Sequence, residues 1–272
     1  MGNFLRLDQE QLFSSKIIYF PQANLRQEFR CMSTSDRNLS ELIKNTALFY
    51  KKITEQYQDA DILNKVKLFI PERILELKEE AQIKSLLEWF KKEYMSWIPN
   101  APICERCIDE GRGNVPMQIQ TTSGSSWKLS VVETHSCNKC GFAKTYPRYN
   151  EVLKIAEARI GRCGEWCILF GAILSGIRIK SRIVHDFLDH VWNEALLDEK
   201  WVHIDSSLAY PISVNHPYYY EQNWGKKYEY ILAFSENGGV EDVTQRYTQS
   251  WETVLQRRNN ALSFQERFSY IA

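Results

Sequence analysis

Gly161-Arg162-Cys163-Gly164-Glu165-Trp166-Cys167 is the stretch from which the rest of the chain is read. A cysteine acts as a nucleophile through its thiolate, and a thiolate is favoured at a helix N-terminus beside a histidine. Gly161 offers a break in the backbone, and Gly164 to about Ser175 has the composition of a helix. Cys163 is therefore expected at a helix start, where free amides face an anion. Cys167 falls one turn further in and reads as a core residue. Two partners follow, in Asp189-His190-Val191-Trp192-Asn193 and Val202-His203-Ile204-Asp205. Both read as strands, and Asp198-Glu199 between them suits a tight hairpin turn. His190 and Asp205 can then face one side of a sheet, giving a nucleophile, a base and an orienting carboxylate.

Blander readings stand beside this one. Most cysteines near a glycine are inert packing residues. His203 alternates with Asp205 and reads as an ordinary polar-face residue, His185 and His216 as surface histidines, Asp186 and Asp189 as turn or rim groups. Trp192 shares a strand face with His190, where it either shields the imidazole or lines a cleft.

The 272-residue chain is long enough for a full core, as one large domain or one domain carrying an insertion. Its 34 basic and 34 acidic side chains cancel, which argues against nucleic-acid binding as its main work. Eight Trp and 14 Tyr leave aromatic side chains to spare for a ligand cleft. No run of 18 apolar residues suggests a membrane span. Met1-Gly2-Asn3-Phe4-Leu5-Arg6 lacks the pattern of a secretory or myristoylation signal, so neither is expected. The 7 cysteines are an odd number, and four of them form two C-x-x-C pairs, which in an intracellular protein read as metal ligands; a reducing compartment would also keep a catalytic thiol alive.

An α+β fold with four regions is expected. Residues 1–100 form a helical N-terminal region, with helices from Leu39 to Tyr57 and from Ala81 to Tyr94, the second ended by Pro99 and Pro102. Residues 1–35 carry few signals. Residues 101–148 form a metal module: Cys104-x-x-Cys107 and Cys137-x-x-Cys140 can close a tetrahedral shell, which suits a structural zinc ion. A disulfide-linked or merely buried set is the alternative, and His135 could replace one ligand. Gly111-Arg112-Gly113 and Thr121 to Ser126 read as turns. Residues 149–248 form the catalytic core. Asn150 is placed as the cap of a helix to Ile160, and strands are expected at Ile179–Phe187, His190–Leu197, Trp201–Asp205, Tyr228–Phe234 and Val240–Val243. Residues 249–272 form a C-terminal helix and tail, with the helix over Gln249–Asn259.

The Cys163 stretch, Asp189-His190-Val191-Trp192, the strand ending at Asp205, Trp224-Gly225-Lys226-Lys227 with Tyr230-Ile231-Leu232-Ala233-Phe234-Ser235, and Asp242-Val243-Thr244-Gln245-Arg246-Tyr247 resemble the cytoplasmic peptide:N-glycanase family. The two C-x-x-C pairs upstream of the nucleophile match that family's order. The likeness is to the short, fungal-type form. It implies a transglutaminase-like, papain-related core beside a four-cysteine zinc module, with Cys163, His190 and Asp205 catalytic. It also implies Trp166 and Trp192 at the cleft and Glu221 as a contact to the sugar core. The implied reaction is hydrolysis of the Asn–GlcNAc amide of misfolded N-glycoproteins during ER-associated degradation. The implied partner is a ubiquitin-receptor shuttle protein, met through the N-terminal helices and the 249–267 tail. The expected state is a monomer in the cytoplasm, with the nucleus as a second location, and with no nucleic acid or membrane partner. The rival readings are another Cys–His–Asp thiol enzyme, a transglutaminase or protease, and a non-enzymatic transglutaminase-like binding module.

Overall fold

The computed structural model describes residues 17–18 and 34–259, so the expectations for Cys31, for most of residues 1–33 and for the tail beyond 259 lie outside the described residues. In chain order the elements are β1 (Ile17–Ile18), α1 (Thr34–Glu55), α2 (Ala60–Lys67), α3 (Glu72–Leu75), α4 (Glu79–Trp89) continuing into a wide turn over Phe90–Tyr94, β2 (Ser96–Trp97), α5 (Glu105–Asp109), β3 (Gln118–Ser126), β4 (Leu129–Ser136), β5 (Ala143–Tyr149), α6 (Val152–Ala158), β6 (Ile160–Gly161), α7 (Cys163–Gly176), β7 (Ser181–His185), β8 (Val191–Leu197), β9 (Lys200–Ile204), α8 (Tyr219–Trp224), β10 (Leu232–Phe234), β11 (Val240–Asp242) and α9 (Trp251–Asn259).

α7 is apolar on every face, and Glu165 to Leu174 are all buried, which makes it a core helix rather than a surface one. It packs against β7 and β8 on one side and against α2 and α6 on the other. At Gly171 an added Cβ would lie 2.7 Å from the Tyr57 hydroxyl, which donates to the Ile168 carbonyl at 2.8 Å. Only glycine lets that ring come so close.

The main sheet runs β1-β11-β10-β7-β8-β9, with every neighbouring pair antiparallel. Asp198 and Glu199 both take positive φ, 46° and 62°, the geometry of a tight two-residue hairpin, as the sequence suggests. Opposite faces of the sheet are both covered. One meets α7 in the main core; the other carries a second cluster built on Val184, Trp192, Tyr220, Tyr228 and Tyr247. On that side Arg182, 2% exposed, is neutralised by Glu194 at 2.5 Å and Glu241 at 2.5 Å. Arg246 and the Tyr247 hydroxyl also meet Glu194, so this buried charge is fully paired.

β3, β4 and β5 make a separate antiparallel sheet. Two expectations are corrected there. Thr121 to Ser126 is the second half of β3, not a turn: it is hydrogen-bonded to β4 in register Thr121↔Glu133. Its polar side chains face solvent at almost every position, so no alternation marks the strand. Asn150 does not cap α6; Glu151 holds that position. The Asn150 amide instead donates to the Trp127 carbonyl at 2.5 Å and to the Ser130 hydroxyl, tying β4 to the start of α6.

Candidate active site

The short parallel pair β2–β6 delivers the chain to Cys163, with Trp97 paired to Gly161. A Cβ at Gly161 would lie 2.5 Å from the Glu165 Cβ, so glycine is required where Glu165 folds back over the helix start. The Glu165 carboxylate accepts from the Arg162 amide at 2.9 Å and from Arg148 Nε and a second guanidinium N–H at 2.6 and 2.7 Å. The helix thus begins with one of its orphan amides satisfied by a side chain. Cys163 is its first residue, half-buried, with Sγ 3.8 Å from the Asp189 carbonyl.

His190 directly precedes β8 and Asp205 directly follows β9. His190 Nε2 is 2.7 Å from Asp205 Oδ2, which leaves Nδ1 for the side on which Cys163 sits. Burial opposes charge on His190. The Asp205 carboxylate, its hydrogen bond and the Cys163 sulfur outweigh burial and raise the imidazole to about 10. Burial would likewise raise the Asp205 carboxyl, but the His190 charge and hydrogen bonds from His190 and Ser207 hold it well below the usual carboxylate range. The structure therefore gathers Cys163, His190 and Asp205 at one place, with the imidazole held as a proton carrier between thiol and carboxylate.

The backbone before His190 is shaped by Asp186. Its Oδ1 accepts from the amides of Leu188, Asp189 and His190 at 2.9, 3.1 and 3.0 Å. Its Oδ2 receives Lys226 Nζ at 2.7 Å, and Lys226 also reaches Asp189. Asp186 is a turn group as expected, while its role in fixing His190 was not visible in the sequence.

Trp166 is 2% exposed, in edge contact with Phe90, and its carbonyl accepts from Ser206. Trp192 is 1% exposed and near-parallel to the His190 ring at 5.8 Å, its indole N–H donating to Tyr247. Of the two roles open to Trp192, shielding the imidazole is the one its burial allows. Glu221 accepts from Thr248 Oγ1 and the Gln249 amide, anchoring α8 to the segment before α9. The exposed aromatics at the site are others: Trp224, 44% exposed with its ring 5.0 Å from His190, and Trp97, 39% exposed and 6.0 Å from Trp166.

Two histidines depart from expectation. His203 is 2% exposed, in the second core, because its partners are the hydroxyl of Tyr220 and the amide of His216. His185 is not on the surface either; it stacks on Phe187 at 4.5 Å and meets the Tyr50 hydroxyl. His216 is exposed.

Beside the site, Cys104, Cys107, Cys137 and Cys140 bring their four sulfurs within 4.8 Å of one another. Sulfurs around a tetrahedral zinc would be just under 4 Å apart, given zinc–sulfur bonds of about 2.3 Å. Cys104 to Cys140 at 3.4 Å and Cys107 to Cys137 at 3.7 Å fit that shell. The four sulfurs can hold a metal ion; His135 lies outside the set, bonded through Nε2 to Glu133 at 2.6 Å.

Residues 117–206 match the transglutaminase-like superfamily model, and residues 189–270 match the Rad4 transglutaminase-like domain. The chain is 40% identical over 170 residues to the peptide-N(4)-(N-acetyl-beta-glucosaminyl)asparagine amidase of Saccharomyces cerevisiae, covering 61% of this chain and 46% of that one. It is 37% identical over 183 residues to the protein of that name from Gallus gallus, covering 66% and 27%. With the Candida glabrata protein of that name the match is 31% over 218 residues, covering 77% and 61%. The chain thus spans less than two thirds of the length of each of these relatives. Among solved structures, Rad4–Rad23 crosslinked to an undamaged DNA superposes with a TM-score of 0.45 at 15% identity, over 89% of this chain and 55% of that one.

Proposed function

We propose that the chain is a peptide-N(4)-(N-acetyl-beta-glucosaminyl)asparagine amidase, like the relatives it matches at 31% to 40% identity, and that it hydrolyses the amide joining an asparagine side chain to the first N-acetylglucosamine of an N-glycan. The observation that carries the reading is the Cys163 helix start facing a His190 paired to Asp205 at 2.7 Å. The Cys163 thiolate attacks the side-chain carbonyl carbon, and the carbon–nitrogen bond breaks. His190 gives its proton to the departing glycosylamine, leaving a thioester on the former asparagine. Water, deprotonated by His190, then opens the thioester to aspartate and regenerates the thiol. Negative charge on the carbonyl oxygen is met by first-turn amides of α7, which have no partner inside the helix. Asp205 keeps the imidazole in one tautomer throughout.

The four cysteines would hold one structural zinc ion. With all four sulfurs as its ligands, the ion would have no open position for a reactant and would serve to fold β3–β5 and the loops around it. The expected substrates are misfolded N-glycoproteins in the cytoplasm, on the path of ER-associated degradation, and the expected partner is a ubiquitin-receptor shuttle protein. These rest on the family.

Mass spectrometry of a denatured N-glycoprotein tests the reading. Incubation should free the glycan and leave aspartate at the glycosylated asparagine, and the Cys163→Ala variant should leave the glycoprotein intact. An intact glycoprotein with the folded, zinc-loaded wild-type protein would overturn it.

A further inference from the structure

Asp205 accepts four hydrogen bonds, two on each oxygen. Oδ1 takes the Ser207 amide at 2.8 Å and the Ser207 hydroxyl at 2.7 Å. Oδ2 takes His190 Nε2 at 2.7 Å and the hydroxyl of Tyr220 at 2.7 Å. Tyr220 lies fifteen residues further along the chain, on α8, and is fully buried. Its hydroxyl also sits 2.8 Å from His203 Nε2.

The proton directions in this chain are fixed by elementary bookkeeping. An ionised carboxylate only accepts, so the single Tyr220 proton goes to Asp205. The tyrosine oxygen then has only lone pairs to offer His203, and Nε2 must carry the proton on that ring. Nδ1 of His203 faces the His216 amide at 3.4 Å and accepts from it, so the ring is neutral with both nitrogens assigned. Burial favours the same state, pushing His203 down to about 4.

We propose that Tyr220, oriented by a neutral His203, is a positioning residue that fixes the Asp205 carboxylate and shares its Oδ2 with His190. This deepens the amidase reading and rests on it. The chain runs from His203 to Tyr220 to Asp205, with His190 donating to the same oxygen from the other side. Pinned at both oxygens, the carboxylate cannot rotate away from His190, and the second donor on Oδ2 moderates its pull on the imidazole proton. Cys163, His185, Asp186 and Lys226 also act on the charge of the His190 neighbourhood, and Lys91 on that of Asp205. Among the described residues only His190 and Tyr220 donate to Oδ2.

Tyr220→Phe isolates the proposal, because the ring that packs between His190, Trp192 and Trp224 is kept and only the hydroxyl is lost. With five histidines in the chain, imidazole-labelled protein gives a tractable 15N spectrum. In the wild type His203 should appear as the neutral Nε2–H tautomer. In Tyr220→Phe the His190 Nε2 proton should move downfield as Oδ2 loses its competing donor. The kcat for glycan release should fall about tenfold with KM little changed. His203→Gln, which keeps an N–H donor, should stay near the wild type, while His203→Leu should behave like Tyr220→Phe. A His203 ring protonated on Nδ1 would overturn the proposal. So would a Tyr220→Phe variant whose melting temperature drops while the His190 proton and kcat keep their wild-type values. A wild-type protein that frees no glycan would defeat the amidase reading instead, and the spectra would still decide the role of Tyr220.

Discussion

Arg162 and Glu133 join the β3–β5 sheet to the start of the helix that carries Cys163: Arg162 Nε lies 3.0 Å from Glu133 Oε2, and a second N–H lies 2.5 Å from Oε1. Glu133 is on β4, four residues before Cys137, and Arg162 is the residue before Cys163. Arg162 also donates to the Ile98 carbonyl and to Asn100, so three chain segments meet at the helix start. Burial would raise the Glu133 carboxyl, but the hydrogen bonds from Arg162 and His135 and the charges of Arg162 and Arg148 hold it below its ordinary value.

Glu133→Ala should therefore do more than loosen a surface contact. Removing the buried partner leaves Arg162 facing the unpaired His135 side, and breaking such a pair costs about 3 kcal/mol. Urea denaturation should show that loss. Alkylation of Cys163 by iodoacetamide should also slow, since the turn that presents Sγ is no longer held. An unchanged midpoint would show the ion pair to be dispensable.

Metal removal should act through stability. The Cys104–Cys140 shell closes a region whose own apolar cluster holds little beyond Val115, Met117 and Phe142. One zinc per chain is expected by elemental analysis. Chelation, or Cys137→Ser, should release it, expose the β3–β5 sheet to protease and lower the melting temperature before any direct effect on the thiol. Full retention of structure in the metal-free protein would contradict this.

Acid and alkali should destabilise the fold for different reasons. His203 drops from 6.5 to about 4 on folding through burial, so the unfolded chain takes up a proton in that interval that the folded chain refuses. Stability is whole above pH 6.5 and is lost as pH falls toward 4, by on the order of 3 kcal/mol from this one ring. His190 behaves oppositely. Its rise from 6.5 to about 10, driven by Asp205 against burial, gives stability that is complete below 6.5 and drains away as pH climbs to 10. Melting curves against pH should thus peak near neutrality, and His203→Gln should flatten the acid limb only.

Asp205→Asn keeps the shape of the site and removes the charge. The amide can present its N–H2 to His190 Nε2, which forces the ring proton to Nδ1, the nitrogen that must accept from the thiol. Turnover should fall by on the order of 10⁴-fold, with binding of a glycopeptide little altered. Rates read at saturating glycopeptide check this, and a modest loss would assign Asp205 a merely structural part.

The sequence made the triad legible because each member sits in a local signal: a glycine before a helix for Cys163, and two alternating segments joined by Asp198-Glu199 for His190 and Asp205. The cysteine pairs were legible for the same reason. Tyr220, Lys226 and Trp97 were not, since each reaches the site through pairing or packing that spacing does not encode. β2 and β6 are two residues each, too short for any periodicity. The polar run Thr121 to Ser126 looked like a turn because β3 has no buried face to impose alternation. His203 looked like a surface residue because a neutral histidine and a solvated one are the same letter, and the tyrosine that buries it comes from a helix seventeen residues away.

The order in which the main sheet is assembled has a consequence for the chain as it is made. Cys163 leaves the ribosome well before His190, Asp205 and Tyr220, and β8 and β9 must pair before His190 and Asp205 meet. Until that hairpin closes, the nascent chain carries only an ordinary cysteine. The Cys163 thiol therefore meets a His190 paired to Asp205 only once folding is finished.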